Sequence, residues 1–357
     1  MIDTFELYIK LTKEQKIVLR GAIDECIEDT NNVSLRKSKK MHLENGELKT
    51  AAFKRYGILE IKLVLANEGE YHRYWLMVKV KPAIVLHPED IYALSNESDL
   101  IPYKDIFRRF VRAINDYVNY DHMLLPEDIS CWELRRIDYA FQFNTAYYAE
   151  YLYLFKKVAK QEKKRMYKNS LYIQRERYNI NFYDKTQKYI TSYAWKERIG
   201  EHIIRMEIQC KRNYILMMQK KYQLDTISID KLWKRKIAQD VVLEKINKFI
   251  KGGDYFDKIS SKELLDNMYG QSKVQKLMSL LSCSLHNSTL LENIPLLFSV
   301  VTGGKVSEKQ IKRNLVPALS KAGINPLLLP ESWGINRLLN PQKLIFDSQA
   351  EKTHYTG

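Results

Sequence analysis

Residues 4–11 alternate along the chain, with Phe5, Leu7, Ile9 and Leu11 on one face, which predicts a half-buried strand. Thr12 is placed to cap a helix running to about Asp29. Glu44 to Glu47 reads as a tight turn, and residues 57–65 and 72–81 read as paired strands around an Asn67–Glu70 turn. A helix follows at about 104–120. Strand 132–143 opens a second block, then a long helix at about 145–166, a hairpin of strands 170–176 and 179–185, strand 202–210, and helix 212–222.

Beyond residue 225 the spacing is helical, with segments at 228–250, 261–269, 271–283, 288–301 and 307–321 punctuated by Gly252-Gly253 and Gly303-Gly304. Pro317 interrupts the last of these, which favours a packing helix over a recognition helix. The order of elements predicts an α+β fold: a largely antiparallel sheet with helices on one face, followed by a mostly helical C-terminal domain. The expected domains are 1–225, with 1–125 as a candidate subdomain, then 226–348, then a flexible tail at 349–357.

Charge sharpens this picture. The 357 residues carry 58 Lys plus Arg against 43 Asp plus Glu, a net of +15. Residues 151–250 alone hold 24 basic and 10 acidic residues, so nearly all of the excess sits in this stretch. Such a field attracts a polyanion, and nucleic acid is the commonest. The 24 tyrosines, interleaved with basic residues, suit single strands in particular. No run of 18 apolar residues exists and no basic-then-apolar leader opens the chain, so neither a membrane span nor a secretory signal is expected. The expected location is the cytoplasm, with the four separated cysteines reduced.

Strand alternation groups the chemistry. On strand 132–143, Arg136, Asp138, Ala140 and Gln142 share one face, and Ile137, Tyr139, Phe141 and Phe143 the other. On strand 179–185, Asn179, Asn181, Tyr183 and Lys185 share a face opposite Ile180 and Phe182. On strand 203–209, Arg205, Glu207 and Gln209 oppose Ile204, Met206 and Ile208. If the three strands are neighbours, Asp138, Glu207 and Tyr183 converge on an open sheet. Two carboxylates in oxygen-rich surroundings suit Mg²⁺ or Mn²⁺. A tyrosine needs help as a nucleophile, which Lys185 on the same face would give. The same three residues also fit the plain polar face of any half-exposed sheet.

The words around these residues narrow the choice. The run Leu134-Arg135-Arg136-Ile137-Asp138-Tyr139-Ala140-Phe141-Gln142-Phe143 resembles the "R-hydrophobic-D-x-A-x-D-F" strand of trans-acting plasmid replication initiators, the rolling-circle Rep proteins related to some conjugative relaxases. The run from Ile180 to Lys188 resembles their "R-I/F-Y-N/E-K" strand, and the run from Ile204 to Arg212 their "R-V/Y-E-hydrophobic-x-L-K" strand. The three occur in the family's order, and the opening Met1-Ile2-Asp3-Thr4 is similar to that of phage gene II/X replication proteins. The resemblance spans roughly residues 1–225. Three departures stand out. Gln142 replaces a second acidic residue, Asn181 replaces an arginine, and Gln174-Arg175-Glu176-Arg177 replaces a Gly-x-Arg-x-Ser turn.

The resemblance implies Tyr183 as nucleophile, Lys185 as its phosphate or phenolate partner, and Asp138, Glu207 and Gln142 as ligands of Mg²⁺ or Mn²⁺. Arg136, Arg205, Lys163, Lys164, Arg165, Arg175 and Arg177 are the expected nucleic-acid contacts. It implies a nickase that frees a 3′-hydroxyl at an origin, with single- and double-stranded origin DNA, a helicase and a second Rep protomer as partners. No membrane partner is expected. Rival readings are a relaxase with the same chemistry, a non-catalytic DNA-binding protein, and an RNA-binding protein. The seven histidines contain no pair two residues apart, so a His-hydrophobe-His metal site is not expected. His202 is a minor candidate, and Tyr178, Tyr189 and Tyr193 are alternative nucleophiles.

Overall fold

The alternating segments of the sequence become the strands of one sheet. The computed structural model describes residues 1–29, 47–48, 52–68, 71–159, 164–167, 169–186, 202–250, 252–286 and 311–344. The strands are β1 (Ile2–Leu11), β2 (Glu47–Leu48), β3 (Ile58–Glu68), β4 (Tyr71–Val80), β5 (Glu133–Thr145), β6 (Lys164–Tyr167), β7 (Ser170–Gln174), β8 (Tyr178–Asp184) and β9 (His202–Lys211). Among the described residues they form a nine-stranded sheet in the order β2-β3-β4-β1-β5-β9-β8-β7-β6. Its pairs β1–β4, β1–β5, β2–β3, β3–β4 and β6–β7 are antiparallel. The fold is α+β. None of the described helices is long and apolar enough to cross a membrane.

The helices are α1 (Lys13–Asp29), α2 (Ala83–Leu86), α3 (Leu100–Asn115), α4 (Tyr148–Val158), α5 (Arg212–Lys221), α6 (Ile229–Leu232), α7 (Arg235–Phe249), α8 (Lys258–Asp266), α9 (Gln271–His286) and α10 (Val316–Lys321). The chain divides into two compact units: Met1–Ala140 with Glu176–Asn179 and Glu207–Val242, and Phe141–Arg175 with Ile180–Met206 and Leu243–Gly357.

In the first unit, α3 buries Leu100, Tyr103, Phe107, Phe110, Val111 and Ile114, an apolar stripe at helical spacing. Tyr103 and Trp233 meet Phe5 of β1 edge-on, at 6.2 and 5.7 Å between ring centroids. Tyr139 of β5 donates to the Leu232 carbonyl at 2.8 Å. These helical residues therefore lie on the apolar face. In the second unit, α4 packs the same way, with Tyr151 against Phe143 at 5.2 Å and Phe155 against Phe182 at 4.8 Å. A separate core of Leu265, Val274, Leu277, Leu281, Leu319, Ile324 and Leu328 holds the C-terminal helices.

Three elements differ from expectation. Helix 145–166 ends at Val158, because residues 164–167 pair with 170–173 as a hairpin. Helix 228–250 breaks at Trp233-Lys234, where the buried indole donates to the Asn96 carbonyl and Glu97 accepts from the Arg235 amide that opens α7. In segment 307–321, residues 311–315 form one π-helical turn before α10. Pro317 lies in the first turn of α10, where its missing N–H costs nothing. The Glu44 turn, the end of the Asn67 turn, helix 288–301, Gly303-Gly304 and the 349–357 tail lie outside the described residues.

Candidate active site

Two polar clusters carry the expected site residues, one in each unit. In the first unit, β1 and β5 run antiparallel with Thr4 opposite Asp138 and Glu6 opposite Arg136. Arg136 and Asp138 stand two apart on one face, so the guanidinium can fold along the strand onto its own neighbour. Arg136 Nε donates to Asp138 Oδ1 at 2.8 Å and Nη2 to Oδ2 at 2.6 Å. Thr4 Oγ1 donates to the same Oδ2, and Arg136 Nη1 donates to Glu6 at 3.0 Å.

Burial opposes the charge on Arg136, but Asp138, Glu6 and Glu207 outweigh it and hold the guanidinium firmly protonated. Burial lifts the Asp138 carboxyl above the usual carboxylate range, with Arg136 and Thr4 pulling the other way. Arg136 is thus hydrogen-bonded to two carboxylates and feels the charge of a third.

In the second unit, Gln142 Oε1 accepts from both Arg205 Nε, at 2.9 Å, and Arg205 Nη2. Tyr183 is the penultimate residue of β8, and Lys185, just past the strand's end, has its ammonium 5.7 Å from the ring centroid. Asp184, between them in sequence, has the opposite parity. Its Oδ2 lies 2.8 Å from His202 Nδ1, and its Oδ1 accepts from the Thr186 amide. The Tyr148 ring stacks on His202 at 5.3 Å. Burial, and then the charge of Asp184, push the Tyr148 hydroxyl up to about 12.

The expected open face is not open. Asp138 is 1 % exposed, Glu207 5 %, Tyr183 8 % and Arg205 0 %. Alternation correctly separates polar from apolar positions, but it carries no information on what covers either side. Charged groups tolerate that burial when they are paired and hydrogen-bonded, as Asp138 and Arg136 are.

The expected basic contacts scatter. Arg175 and Arg177 are exposed in the turn before β8, where Arg177 Nη1 lies 3.1 Å from Met217 Sδ. Lys164 and Arg165 fall on β6, and Lys163 lies outside the described residues. Arg136 and Arg205 are engaged as described. Of the alternative tyrosines, Tyr178 packs on Tyr214 at 5.6 Å, and Tyr189 and Tyr193 lie outside the described residues.

Sequence reasoning did not single out Thr4 or Glu6, although both fall on the polar positions of β1 and that periodicity was the available signal. It also passed over Arg135, Tyr8 and Trp75. Arg135 lies 4.3 Å from the Trp75 ring centroid and 5.1 Å from that of Tyr8.

Mg²⁺ or Mn²⁺ would need oxygens that are free to coordinate. Both oxygens of Asp138 accept from Arg136 or Thr4, and that of Gln142 accepts from Arg205. Among the described residues no group of three His, Cys, Asp or Glu side chains is gathered to hold a metal. As arranged, Asp138 and Gln142 are engaged by protein donors rather than turned toward a shared ion site.

No family model matches the chain, and no curated protein matches it. Among solved structures, it is similar to a rolling-circle replication initiator protein from Geobacillus stearothermophilus. The identity is 13 %, the overlap covers 70 % of this chain and 84 % of that one, and the TM-score is 0.30.

Proposed function

We propose that this chain is a site-specific DNA strand transferase that starts rolling-circle replication. The observation that carries the reading is the order of the strands. β5, β9 and β8, which bear the three sequence words with Asp138, Glu207 and Tyr183, are consecutive in the sheet. The concentration of positive charge between residues 151 and 250 supports a polyanionic substrate.

In this reading the Tyr183 hydroxyl oxygen attacks a phosphodiester phosphorus. An O–P bond forms to the tyrosine while the bond from phosphorus to the 3′-oxygen breaks. The tyrosine loses its proton and the departing 3′-oxygen gains one. The products are a 5′-phosphotyrosine and a free 3′-hydroxyl, with the ester energy conserved for rejoining. Lys185, buried beside the ring, favours the phenolate or holds the phosphate. Asp138 and Glu207 are the acidic residues of the reaction, and Arg136 is their charge balance. A divalent ion belongs to the reading only if it displaces Arg136 from Asp138, so no step above runs through one.

Incubation with a negatively supercoiled plasmid library tests the function. The expected result is open circles carrying protein at a 5′ end. Retarded but unnicked plasmid would leave a DNA-binding protein without catalysis. Repeating the reaction with chelator and with added Mn²⁺ tests the ion, since only an ion-dependent site stops nicking under chelation.

A further inference from the structure

We propose that Trp75, Tyr8 and Arg135 form a stacking platform for an unpaired base of single-stranded DNA. The register between β1 and β5 shifts in mid-strand. Glu6 faces Arg136 and Leu7 faces Leu134, so β5 carries one extra residue, Arg135, at that point. This is a β-bulge, which re-aims side chains at the expense of a regular ladder. Without it Arg135 and Arg136 would project to opposite faces. With it, one strand sends Arg136 to Glu6 and Asp138 while Arg135 lies against Tyr8 and Trp75.

Lys10 pairs with Trp75, so Trp75 shares the face of Lys10, Tyr8 and Glu6. Trp75, Tyr8 and Arg135 are all half-buried rather than sealed, and Lys10 is exposed. The two rings meet at 70° with 6.4 Å between centroids, and the guanidinium lies over both. Planar groups of this kind offer π-faces on which any base stacks.

The charge matches the ligand. Glu133 is shared by two guanidiniums, with Arg135 Nε at 3.3 Å and Arg212 Nη2 at 3.0 Å, which leaves a positive excess for phosphate. Lys10 adds to it on the same face, where the half-buried Lys79 stands opposite Glu6 and Glu60. A paired base has its faces covered by its neighbours in the stack, so the platform selects single strands over duplex. The identity of the ligand as DNA rests on the strand-transfer reading.

The test is anisotropy with a fluorescent oligothymidylate of about 16 residues, alongside a duplex of the same length. Trp75→Leu is expected to weaken single-strand binding by about tenfold or more while leaving duplex binding within about twofold. Arg135→Lys, which keeps the charge and loses the plane, should weaken the single strand and preserve the salt slope. A Trp75→Leu protein with wild-type circular dichroism and wild-type single-strand affinity would overturn the platform, as would equal losses on both DNAs. Preference for oligouridylate over oligothymidylate would overturn the assignment to DNA.

If Trp75→Leu fails to fold, photo-crosslinking of the wild type to a bromodeoxyuridine oligonucleotide replaces it. Adducts at Trp75 or Tyr8 support the platform, and adducts only elsewhere overturn it. The two readings fail separately. Tyr183→Phe abolishes the covalent product if strand transfer is right, and leaves oligothymidylate binding to report on the platform alone.

Discussion

Two aspartates, one in each unit, are almost completely buried and both are bound by arginine, yet their environments push them in opposite directions. Asp254 accepts from the Asn340 amide at 2.9 Å, from Arg337 at 2.6 and 3.0 Å, and from Lys343 at 2.9 Å. Burial raises its carboxyl, but those donors more than offset this and hold it below the ordinary range. Asp138 has Arg136 and Thr4, and Arg136 is shared with Glu6 and feels Glu207 as well. Burial wins there, and the nearby charge of Asp3 adds to it. A surplus of donors makes Asp254 a structural knot that ties residues 253–254 to 337–343. In the Asp138 cluster the one guanidinium divides its donors between Asp138 and Glu6, and burial prevails.

The knot is also pinned by its backbone. Gly253 has φ near +90°, and a Cβ there would stand 2.4 Å from the Ile324 carbonyl carbon. Gly253→Ala is therefore expected to have the largest effect on stability, about 3 kcal/mol or more in urea unfolding, from combined backbone strain and overlap. A cost below about 1 kcal/mol would show that the 253–325 contact yields easily.

The aspartates themselves come next. Asp254→Asn removes the charge that Arg337 and Lys343 hold and should cost about 2–3 kcal/mol, the lower range for a broken buried pair because both cations are half in water. Asp138→Asn should stay within about 1 kcal/mol, since Arg136 keeps Glu6 and the burial penalty of the carboxylate disappears. Equal losses would erase the comparison.

The smallest effect is on the acid limb of stability. Asp254 has a depressed folded value, so its contribution is complete above its ordinary value of 3.8 and is lost as pH falls below it. Asp138 has a raised one, so its contribution has the opposite sign and weakens the fold as pH rises through and above 3.8. Unfolding followed from pH 7 to pH 3 should show a shallower acid limb in Asp254→Asn and a steeper one in Asp138→Asn.

Much of this architecture was legible because it rests on short-range periodicity. β1, β4, β5, β8, β9 and α1, α3, α5, α8 and α9 fall close to where alternation and helical spacing put them. What stayed hidden depends on partners distant in sequence. The break at Trp233 exists because the indole is drawn between Phe5 and Tyr103, neither of which is near it in the chain. β6 exists because Lys164–Tyr167 find a partner in β7, whereas their composition alone continues a helix.

The same holds for the candidate site. Parity identified Asp138, Gln142, Arg205 and Glu207 as one class of position. It gave no warning that Arg205 would spend its donors on Gln142, or that Arg136 would spend its own on Asp138. The bulge at Arg135 reverses the faces on its N-terminal side only, so parity holds from Arg136 onward and fails for Arg135. Alternation placed Arg136 with Asp138, as observed, but it gave no sign that Arg135 would join the face of Tyr8 and Trp75.

Strand transfer requires that Tyr183 become covalently joined to DNA. The direct measurement is to mix the protein with a single-stranded random library and Mn²⁺, digest, and map the modified peptide by mass spectrometry. One phosphodeoxynucleotide adduct is expected, at Tyr183, absent from Tyr183→Phe. An adduct that persists in Tyr183→Phe, or tight binding with no adduct under any metal condition, would contradict it.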